Sequence, residues 1–494
     1  MREKYIIGID QSTQGTKAIL LNASGEIAGK TFLPHEQIVN GEGWVSHDAE
    51  EIFRNVILTA GTLIGQMAID KKSVAAIGIS NQRETTVAWD RETGKPVEHA
   101  IVWQCARAKE ITAAMSTDFS ALVQERTGIP ISPYFPAAKA AWIMQNNAQA
   151  RKLAAEGKLC IGTIDAWLVY KLSGGKVFRT DYSNASRTQL FDLNTLRWDK
   201  EICDGFGIPV SALPEVTDSD GVFGTTTLSG FFDEPVPIRA VLGDSHAALF
   251  GQGCVQPGMA KATYGTGSSI MINIGQSFLR SSHGLVTSLA WGRSGRVDYV
   301  LEGNINYSGA VITWLMEVGL LQSPLESSAL AKTANPADTT ILVPAFTGLG
   351  APYWNAEARA AFVGMSRTTG RAELVRAGLE AIAYQVSDIV EAVGQDTGLT
   401  LAELRVDGGP TANAYLMQFQ SDMSGAVIRV PKAEDLSAIG AATMAGIAAG
   451  IYDESLLNSE KTNSVYVPYM DEEIKTKKLS GWKEAVRTVN KLSC

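Results

Sequence analysis

Residues 5–17 have the sequence YIIGIDQSTQGTK, in which an apolar run, Tyr5–Ile9, meets a polar turn, Asp10–Gly15, and a second apolar run begins at Thr16. β-Branched and aromatic residues bounded by small polar residues predict two strands joined by a tight hairpin. The same order recurs at Met259–Ile274 (MAKATYGTGSSIMINI), where GTGSS supplies the turn. This duplication predicts two lobes, each of which places one polar hairpin at a central cleft.

Short apolar strands alternate with amphipathic helices along the rest of the chain. Asp48 precedes apolar residues that recur every three or four positions, which predicts a capped helix. Val74–Ser80 and Leu404–Val406 have the composition of buried strands, and Arg371–Val393 has the pattern of a long helix. This alternation is typical of α/β proteins with mixed sheets.

The pattern changes near residues 245–260, where the strand Val241–Gly243 is followed by a helix and then by a new meander. A chain of 494 residues has the length of about two to four domains. We therefore expect two domains, residues 1–249 and residues 250–494.

Composition and charge exclude several classes of protein. The apolar fraction of 45% and the charged fraction of 19% are those of a folded chain, not of a disordered one. The net charge of −9 leaves no excess of cations for nucleic acid or for an anionic membrane. The longest weakly polar stretch, Ala438–Tyr452, is too short to span a bilayer and predicts a tightly packed buried helix. We expect a cytoplasmic protein with no nucleic-acid and no membrane partner.

The cysteines do not have the spacing of a disulfide framework or of a zinc site. They are odd in number, far apart and without a C-x-x-C pair, so a reducing compartment fits them best. None of the five histidines has the spacing of metal ligands. The cysteines are Cys105, Cys160, Cys203, Cys254 and Cys494.

Three turns contain residues suited to phosphate binding. Asp10 ends the first strand; the small residues after it can direct backbone N–H groups at a phosphate, while the carboxylate holds Mg²⁺ through water. Gly265–Ser269 (GTGSS) and Asp407–Gly409 (DGG) have the same character. Each is also consistent with an ordinary turn, and none matches the G-x-x-x-x-G-K-[ST] phosphate loop.

Asp244 follows the apolar strand that ends at Gly243 and precedes a helix. A carboxylate at the carboxyl end of a strand, in a crevice between lobes, is suited to act as the general base toward a substrate hydroxyl. The alternative is a helix N-cap, which is the commoner role of an aspartate at such a place. His246 is expected to be a packed histidine and not a catalytic one.

Polar residues also follow the strand Val74–Ser80. Arg83 and Glu84 offer a donor and an acceptor that together can clamp a diol, and a salt-bridged loop is the alternative. Trp103 is either a core residue or a flat wall against the carbon atoms of a substrate.

Together these features resemble the FGGY family of carbohydrate kinases, and within it the glycerol kinases. The similarity extends over nearly the whole chain and lies in long, specific blocks. They are IGISNQRETTVAWDRETGKPVEHAIVWQCAR (77–107), TDYSNASRTQLFDLNTLRWD (180–199), KATYGTGSSIMIN (261–273), APYW (351–354) and LRVDGGPTANAYLMQFQSD (404–422).

The resemblance implies an α/β, two-lobed, actin-like (ribonuclease H-like) ATPase fold with a central nucleotide and substrate cleft. It implies an enzyme that uses ATP and Mg²⁺ to phosphorylate a terminal hydroxyl of a small polyol or open-chain sugar. The first domain would hold the polyol site and the first phosphate hairpin, and the second domain the nucleotide site. The oligomeric state stays open, with a homodimer and a homotetramer as the candidates.

The resemblance also implies roles for individual residues. Asp244 would be the general base, and Asp10 and Asp244 would associate with Mg²⁺. The polyol contacts would be Arg83, Glu84, Trp103, Tyr134, Asp244, Ser245 and Ser269. The nucleotide contacts would be Thr13, Gln14, Gly15, Lys17, Thr266, Gly267, Gly309, Thr313, Gly409 and Asn413.

Three positions depart from the glycerol kinase pattern. Ser245 stands where glutamine is usual, Ser269 where an aromatic ring covers the carbon atoms of glycerol, and Thr313 where a nucleotide-side glutamine is usual. Because two of these side chains leave a larger pocket, we expect a four- or five-carbon polyol or ketose as substrate. Glycerol itself is the alternative, and an actin-fold ATPase that transfers nothing to a small molecule is a further one.

Overall fold

The structure of the protein is a computed structural model that describes residues 3–458 and 462–491. Cys494 lies outside the described residues, and the other four cysteines are free and buried. The strands are β1 (Tyr5–Gln11), β2 (Gly15–Leu21), β3 (Ile27–Pro34), β4 (Ile38–Val39), β5 (Val45–His47), β6 (Val74–Asn81), β7 (Thr86–Asp90), β8 (Ala100–Ile101), β9 (Leu159–Thr163), β10 (Arg179–Asp181), β11 (Phe191–Asp192), β12 (Arg197–Trp198), β13 (Glu215–Thr217), β14 (Thr225–Thr226), β15 (Val236–Gly243), β16 (Ala260–Tyr264), β17 (Ser268–Gly275), β18 (Val286–Arg293), β19 (Arg296–Ile305), β20 (Ile341–Val343), β21 (Ala361–Val363), β22 (Glu403–Asp407), β23 (Val427–Pro431) and β24 (Thr462–Tyr466). The helices are α1 (Ala49–Met67), α2 (Lys109–Ala113), α3 (Thr117–Thr127), α4 (Pro136–Asn146), α5 (Ala148–Ala155), α6 (Ile164–Leu172), α7 (Tyr182–Ala185), α8 (Lys200–Phe206), α9 (Asp244–Gly251), α10 (Gly309–Glu317), α11 (Ser327–Lys332), α12 (Arg371–Thr397), α13 (Ala414–Ser424), α14 (Leu436–Ala448) and α15 (Glu472–Lys491).

Two mixed sheets form the centres of two lobes. The first sheet has the strand order β14-β15-β6-β1-β2-β3, and the second has the order β18-β19-β17-β16-β22-β23-β24. In the first, β3, β2 and β1 are antiparallel neighbours, and β6 and β15 continue the sheet parallel to β1. In the second, β19, β17 and β16 are antiparallel, and β22 and β23 run parallel to β16. The predicted duplication is therefore a repeated five-strand arrangement, and the predicted α/β fold class is confirmed.

Several predicted elements occur at the expected positions. Asp48 caps α1, where its side chain accepts a hydrogen bond from the backbone N–H of Glu50. A 3₁₀ turn, Gly409–Ala412, follows β22, and α13 begins at Ala414. The charged C-terminal helix α15 buries a stripe that includes Trp482 against the second lobe.

Helices α9 and α14 pack between the two sheets. The core cluster around them includes Ile6 and Ala76 from the first sheet and Met271 and Val300 from the second. The packing is close: a Cβ added to Gly440 of α14 would lie 1.8 Å from the carbonyl oxygen of Ala247 in α9. The prediction of a tightly packed buried helix in this segment is confirmed. Within residues 3–458 and 462–491, no helix combines the length and the apolar character needed to cross a bilayer.

The division near residue 250 stays a proposal. Position 249/250 falls inside α9, and the next strand, β16, begins at Ala260. Because α14 belongs to the second half of the sequence but packs on β1 and β6 of the first sheet, the lobes are joined at more than one point.

Candidate active site

The carboxyl ends of three parallel strands meet at one edge of the first sheet. Asp10 lies near the end of β1 beside Ser80 of β6, and β15 ends at Gly243 in the same row as Asn81. The hydroxyl of Ser80 donates a hydrogen bond to Asp10 Oδ1 at 3.0 Å. Burial raises the pKa of Asp10 to about 6, and the nearby negative charge of Asp244 adds to the effect. The fold thus brings together the two carboxylates that the sequence singled out.

Asp244 is the first residue of α9, and Gly243 occupies the N-cap position. The geometry therefore does not support the N-cap alternative. Asp244 Oδ1 accepts hydrogen bonds from Arg83 Nε at 3.1 Å and from the backbone N–H of Ser245 at 2.6 Å. Its side chain is 36% exposed, and within the described residues Oδ2 has no hydrogen-bond partner. One oxygen is held in place while the other is available to a substrate.

Arg83 and Glu84 belong to a buried charge cluster that also contains Arg187 and Glu302. The guanidinium of Arg83 makes two hydrogen bonds, both 3.1 Å, to the carboxylate of Glu302 in the second lobe. Arg187 contacts Glu84 at 2.7 Å and Glu302 at 2.9 Å. Burial alone would raise the pKa of Glu302, but Arg187 and Arg83 hold it well below its ordinary value. The four side chains connect the two lobes beside Asp244.

Sequence reasoning did not single out Arg187 or Glu302. Spacing along the chain does not show that Arg187 and Glu302 meet. The signal that was available is that Glu302 directly follows the apolar residues Tyr299–Leu301, because a charge in a buried strand requires a partner.

An aromatic wall stands next to this cluster. The rings of Trp103 and Tyr134 are T-shaped, with centroids 5.5 Å apart. Trp103 is half-buried, and its indole Nε1 donates a hydrogen bond to Thr13 Oγ1 at 2.9 Å. The carbonyl oxygens of Pro133 and Tyr134 accept hydrogen bonds from the buried ammonium of Lys139. Trp103 therefore forms a wall between the first hairpin and Tyr134 and does not lie in the core.

The first hairpin is closed by Ser12, whose backbone N–H and hydroxyl both donate to the carbonyl oxygen of Gly15, at 2.9 and 3.0 Å. Thr13 and Gln14 form its tip, and Gln14 is exposed. Lys17 does not contact this tip in the structure. Its ammonium pairs with Asp435, which is also bonded to Lys30 at 3.1 Å, so Lys17 connects β2 with the segment that leads into α14.

The second hairpin is attached to α10. The carbonyl oxygens of Gly265 and Thr266 accept hydrogen bonds from the backbone N–H groups of Gly309 and Ser308, at 2.9 and 2.8 Å. A Cβ at Gly267 would lie 2.3 Å from the carbonyl oxygen of Ile305. The packing of the protein itself therefore requires glycine at position 267, whether or not a phosphate also approaches it.

The remaining nucleotide candidates surround the turn after β22. Asn413 caps α13, accepting from Leu416 N at 3.0 Å, and its amide donates to Ser327 Oγ at 2.9 Å. Thr313 is exposed on α10. Gly408 has a φ of +98°, and a Cβ there would lie 2.0 Å from the carbonyl oxygen of Tyr264, whereas a Cβ at Gly409 would meet no protein atom within 4 Å.

Asp10 and Asp244 therefore lie near each other at the strand ends of the first lobe, and Asp244 contacts a cluster of buried charges shared by both lobes. Each of the two duplicated lobes carries one glycine-containing hairpin. This arrangement defines a class of protein: two-lobed, actin-like phosphotransferases, which close on a nucleotide and an acceptor. The family models for the FGGY family of carbohydrate kinases match residues 5–251 with the N-terminal domain and residues 260–449 with the C-terminal domain. The chain belongs to the FGGY family and is a phosphotransferase that acts on an alcohol group.

Individual relatives agree with this assignment. The chain is 42% identical over 491 residues to the glycerol kinase of Halalkalibacterium halodurans, with 99% of each chain covered. It is 37% identical to the glycerol kinase of Plasmodium falciparum crystallised with ADP, with 98% of each chain covered and a TM-score of 0.92. The xylulose kinase of Lactobacillus acidophilus, at 24% identity with 99% of each chain covered, has the same fold, with a TM-score of 0.89.

We expect Gly409→Ala to raise the KM for ATP at least several-fold while leaving the melting temperature within about 2 °C of the parent value. A methyl group at this position meets only open space in the protein, so any loss must come from the ligand. Gly408→Ala is the matched control, because its Cβ would collide with Tyr264 and lower the melting temperature. An unchanged KM for ATP in Gly409→Ala would remove Gly409 from the nucleotide site.

Proposed function

We propose that the protein transfers the γ-phosphoryl group of ATP to a terminal hydroxyl of a four- or five-carbon polyol or ketose. The observation on which this rests is the state of Asp244, whose Oδ2 has no hydrogen-bond partner within the described residues and whose side chain is 36% exposed beside the charge cluster. Tyr134 of the aromatic wall lies near the same cluster, and Trp103 lies beside the first hairpin.

The chemistry follows from this placement. The acceptor hydroxyl donates its hydrogen bond to Asp244, which takes the proton as the oxygen bonds to the γ-phosphorus and the bond to the ADP oxygen breaks. Arg83 and Glu84 orient the neighbouring hydroxyls, and Trp103 covers the carbon atoms. Backbone N–H groups of the two hairpins stabilise the charge on the transferred group. Closure of the lobes excludes water and limits the hydrolysis of ATP.

The residues present fit a magnesium ion. No group of three or more His, Cys, Asp or Glu side chains among residues 3–458 and 462–491 has the arrangement of a metal site built from protein alone. Mg²⁺ in kinases is held by one or two carboxylates together with water and phosphate oxygens. The half-buried Asp10, with the charge of Asp244 near it, provides such a pair. Asp10 and Asp244 would hold the ion, which when bound would neutralise negative charge on the phosphates.

The size of the substrate rests on Ser245 and Ser269. Both are half-buried, and Ser269 Oγ donates a hydrogen bond to Glu302 Oε1 at 3.2 Å. A serine at position 269 is smaller than the aromatic ring of the glycerol kinase pattern, and we infer that it leaves room for a substrate longer than three carbons. A difference of this kind is worth about 1–3 kcal/mol of discrimination. Glycerol is the second candidate, and the similarity to glycerol kinases over the whole chain favours it.

Replacing Asp244 tests its proposed role as the general base. We expect Asp244→Asn to lower kcat by about 10²–10⁴-fold with little change in ADP affinity, because the amide cannot accept the proton. Steady-state rates and calorimetric titration with ADP measure the two quantities. Turnover near that of the parent enzyme would contradict the assignment of the base.

A coupled assay of ADP release tests the proposed substrate. We expect kcat/KM for erythritol, threitol, xylitol, erythrulose or xylulose to exceed that for glycerol. The Ser245→Gln, Ser269→Phe double variant is expected to shift the preference back toward glycerol. Glycerol as the best substrate of the unmodified enzyme would contradict the larger pocket, and ADP release independent of any acceptor would contradict the kinase proposal itself.

A further inference from the structure

A row of polar residues crosses the second sheet at one level. Asp407 of β22 lies opposite Thr263 of β16, Thr263 opposite Ser269 of β17, and Ser269 opposite Asn304 of β19. Residues directly opposite one another in neighbouring strands project from the same face of a sheet. The row therefore extends across the sheet from the end of β22, next to Gly408, to Asn304 in β19.

Glu302 shows which way this face points. It precedes Asn304 by two residues in β19, so both side chains project from the same face. Its carboxylate bonds to Arg83 of the first lobe. Ser269 and Asn304 thus face the charge cluster.

The hydrogen bonds that Ser269 and Asn304 already make determine which groups of a ligand these two side chains can still bind. Ser269 Oγ and Asn304 Nδ2 both donate to Oε1 of Glu302, at 3.2 and 3.3 Å. Within the described residues, Asn304 Oδ1 has no partner, and Asn304 is only half-buried. A serine oxygen that donates one bond keeps its lone pairs as acceptors. The pair therefore presents acceptor atoms next to an ionised carboxylate.

We propose that Asn304, together with Ser269, is a specificity-determining residue that accepts a hydrogen bond from a substrate hydroxyl beyond the third carbon. This inference rests on the proposed function. A neutral CH₂OH group supplies the donor that these acceptors require. A carboxylate at the same position supplies no donor and would set its own acceptor oxygens against those of Asn304 and Ser269. The site thus selects polyols over aldonates of equal length.

Four-carbon compounds test this selection directly. The values of kcat/KM are measured for erythritol, for 1,2,3-butanetriol, which lacks one terminal hydroxyl, and for erythronate. We expect the parent enzyme to prefer erythritol over the butanetriol by about 10-fold or more and to show no measurable turnover of erythronate. In Asn304→Ala and in Ser269→Ala, the ratio for erythritol over the butanetriol should fall toward one.

Asn146→Ala is the matched control, because Asn146 is exposed on α4 and its amide donates only to a backbone carbonyl of its own helix. It should keep the parent ratio. Melting temperature and ADP affinity report on the folding of each variant, and the two alanine variants test the pair independently.

Three results would overturn the inference: turnover of erythronate comparable with that of erythritol, equal use of erythritol and the butanetriol by the parent enzyme, or an unchanged ratio in folded Asn304→Ala and Ser269→Ala. Failure of the proposed function is a different result, in which glycerol is the best substrate of the parent enzyme or in which the parent enzyme phosphorylates neither glycerol nor any of these compounds.

Discussion

The buried charge cluster of Arg83, Glu84, Arg187 and Glu302 is the interaction on which the site depends. Two guanidinium groups and two carboxylates balance one another, and all four side chains are buried. Removing one member of such a cluster leaves an unpaired buried charge, at a cost of about 3–5 kcal/mol. Because Arg83 also bonds to Asp244, the orientation of the proposed general base is set by the same balance.

The cluster also links the lobes, since Glu302 belongs to the second sheet and the other three residues to the first lobe. Two further connections span the same boundary: the close packing of α14 against α9, and the ion pair between Lys17 and Asp435. Asp244, the proposed general base, begins α9, and the two hairpins proposed to bind phosphate extend from β1 and β16. A movement of one lobe against the other therefore changes the distance between the acceptor site and the nucleotide site, which is the change that phosphoryl transfer requires.

Local patterns in the sequence predict the fold well. The hairpin after Asp10, its duplicate near Gly267 and the cap at Asp48 depend on neighbouring residues, so their composition is sufficient. The site is predictable only in part. The pairing of Lys17 with Asp435, more than 400 residues along the chain, has no signal in the neighbouring sequence, and the contact of Lys17 with a phosphate stays a prediction. Glu302, Arg187 and Asn304 were not singled out, because what distinguishes them is their partners across strands and lobes and not their neighbours in sequence.

A crystal structure with ADP, Mg²⁺ and erythritol tests the central claim most directly. We expect the polyol to lie between Trp103 and the charge cluster, with its reacting oxygen about 2.6–3.2 Å from Asp244. An adjacent hydroxyl should contact Arg83 or Glu84. A polyol bound elsewhere, or one whose terminal hydroxyl is out of reach of Asp244, would contradict the assignment of Asp244 as the general base.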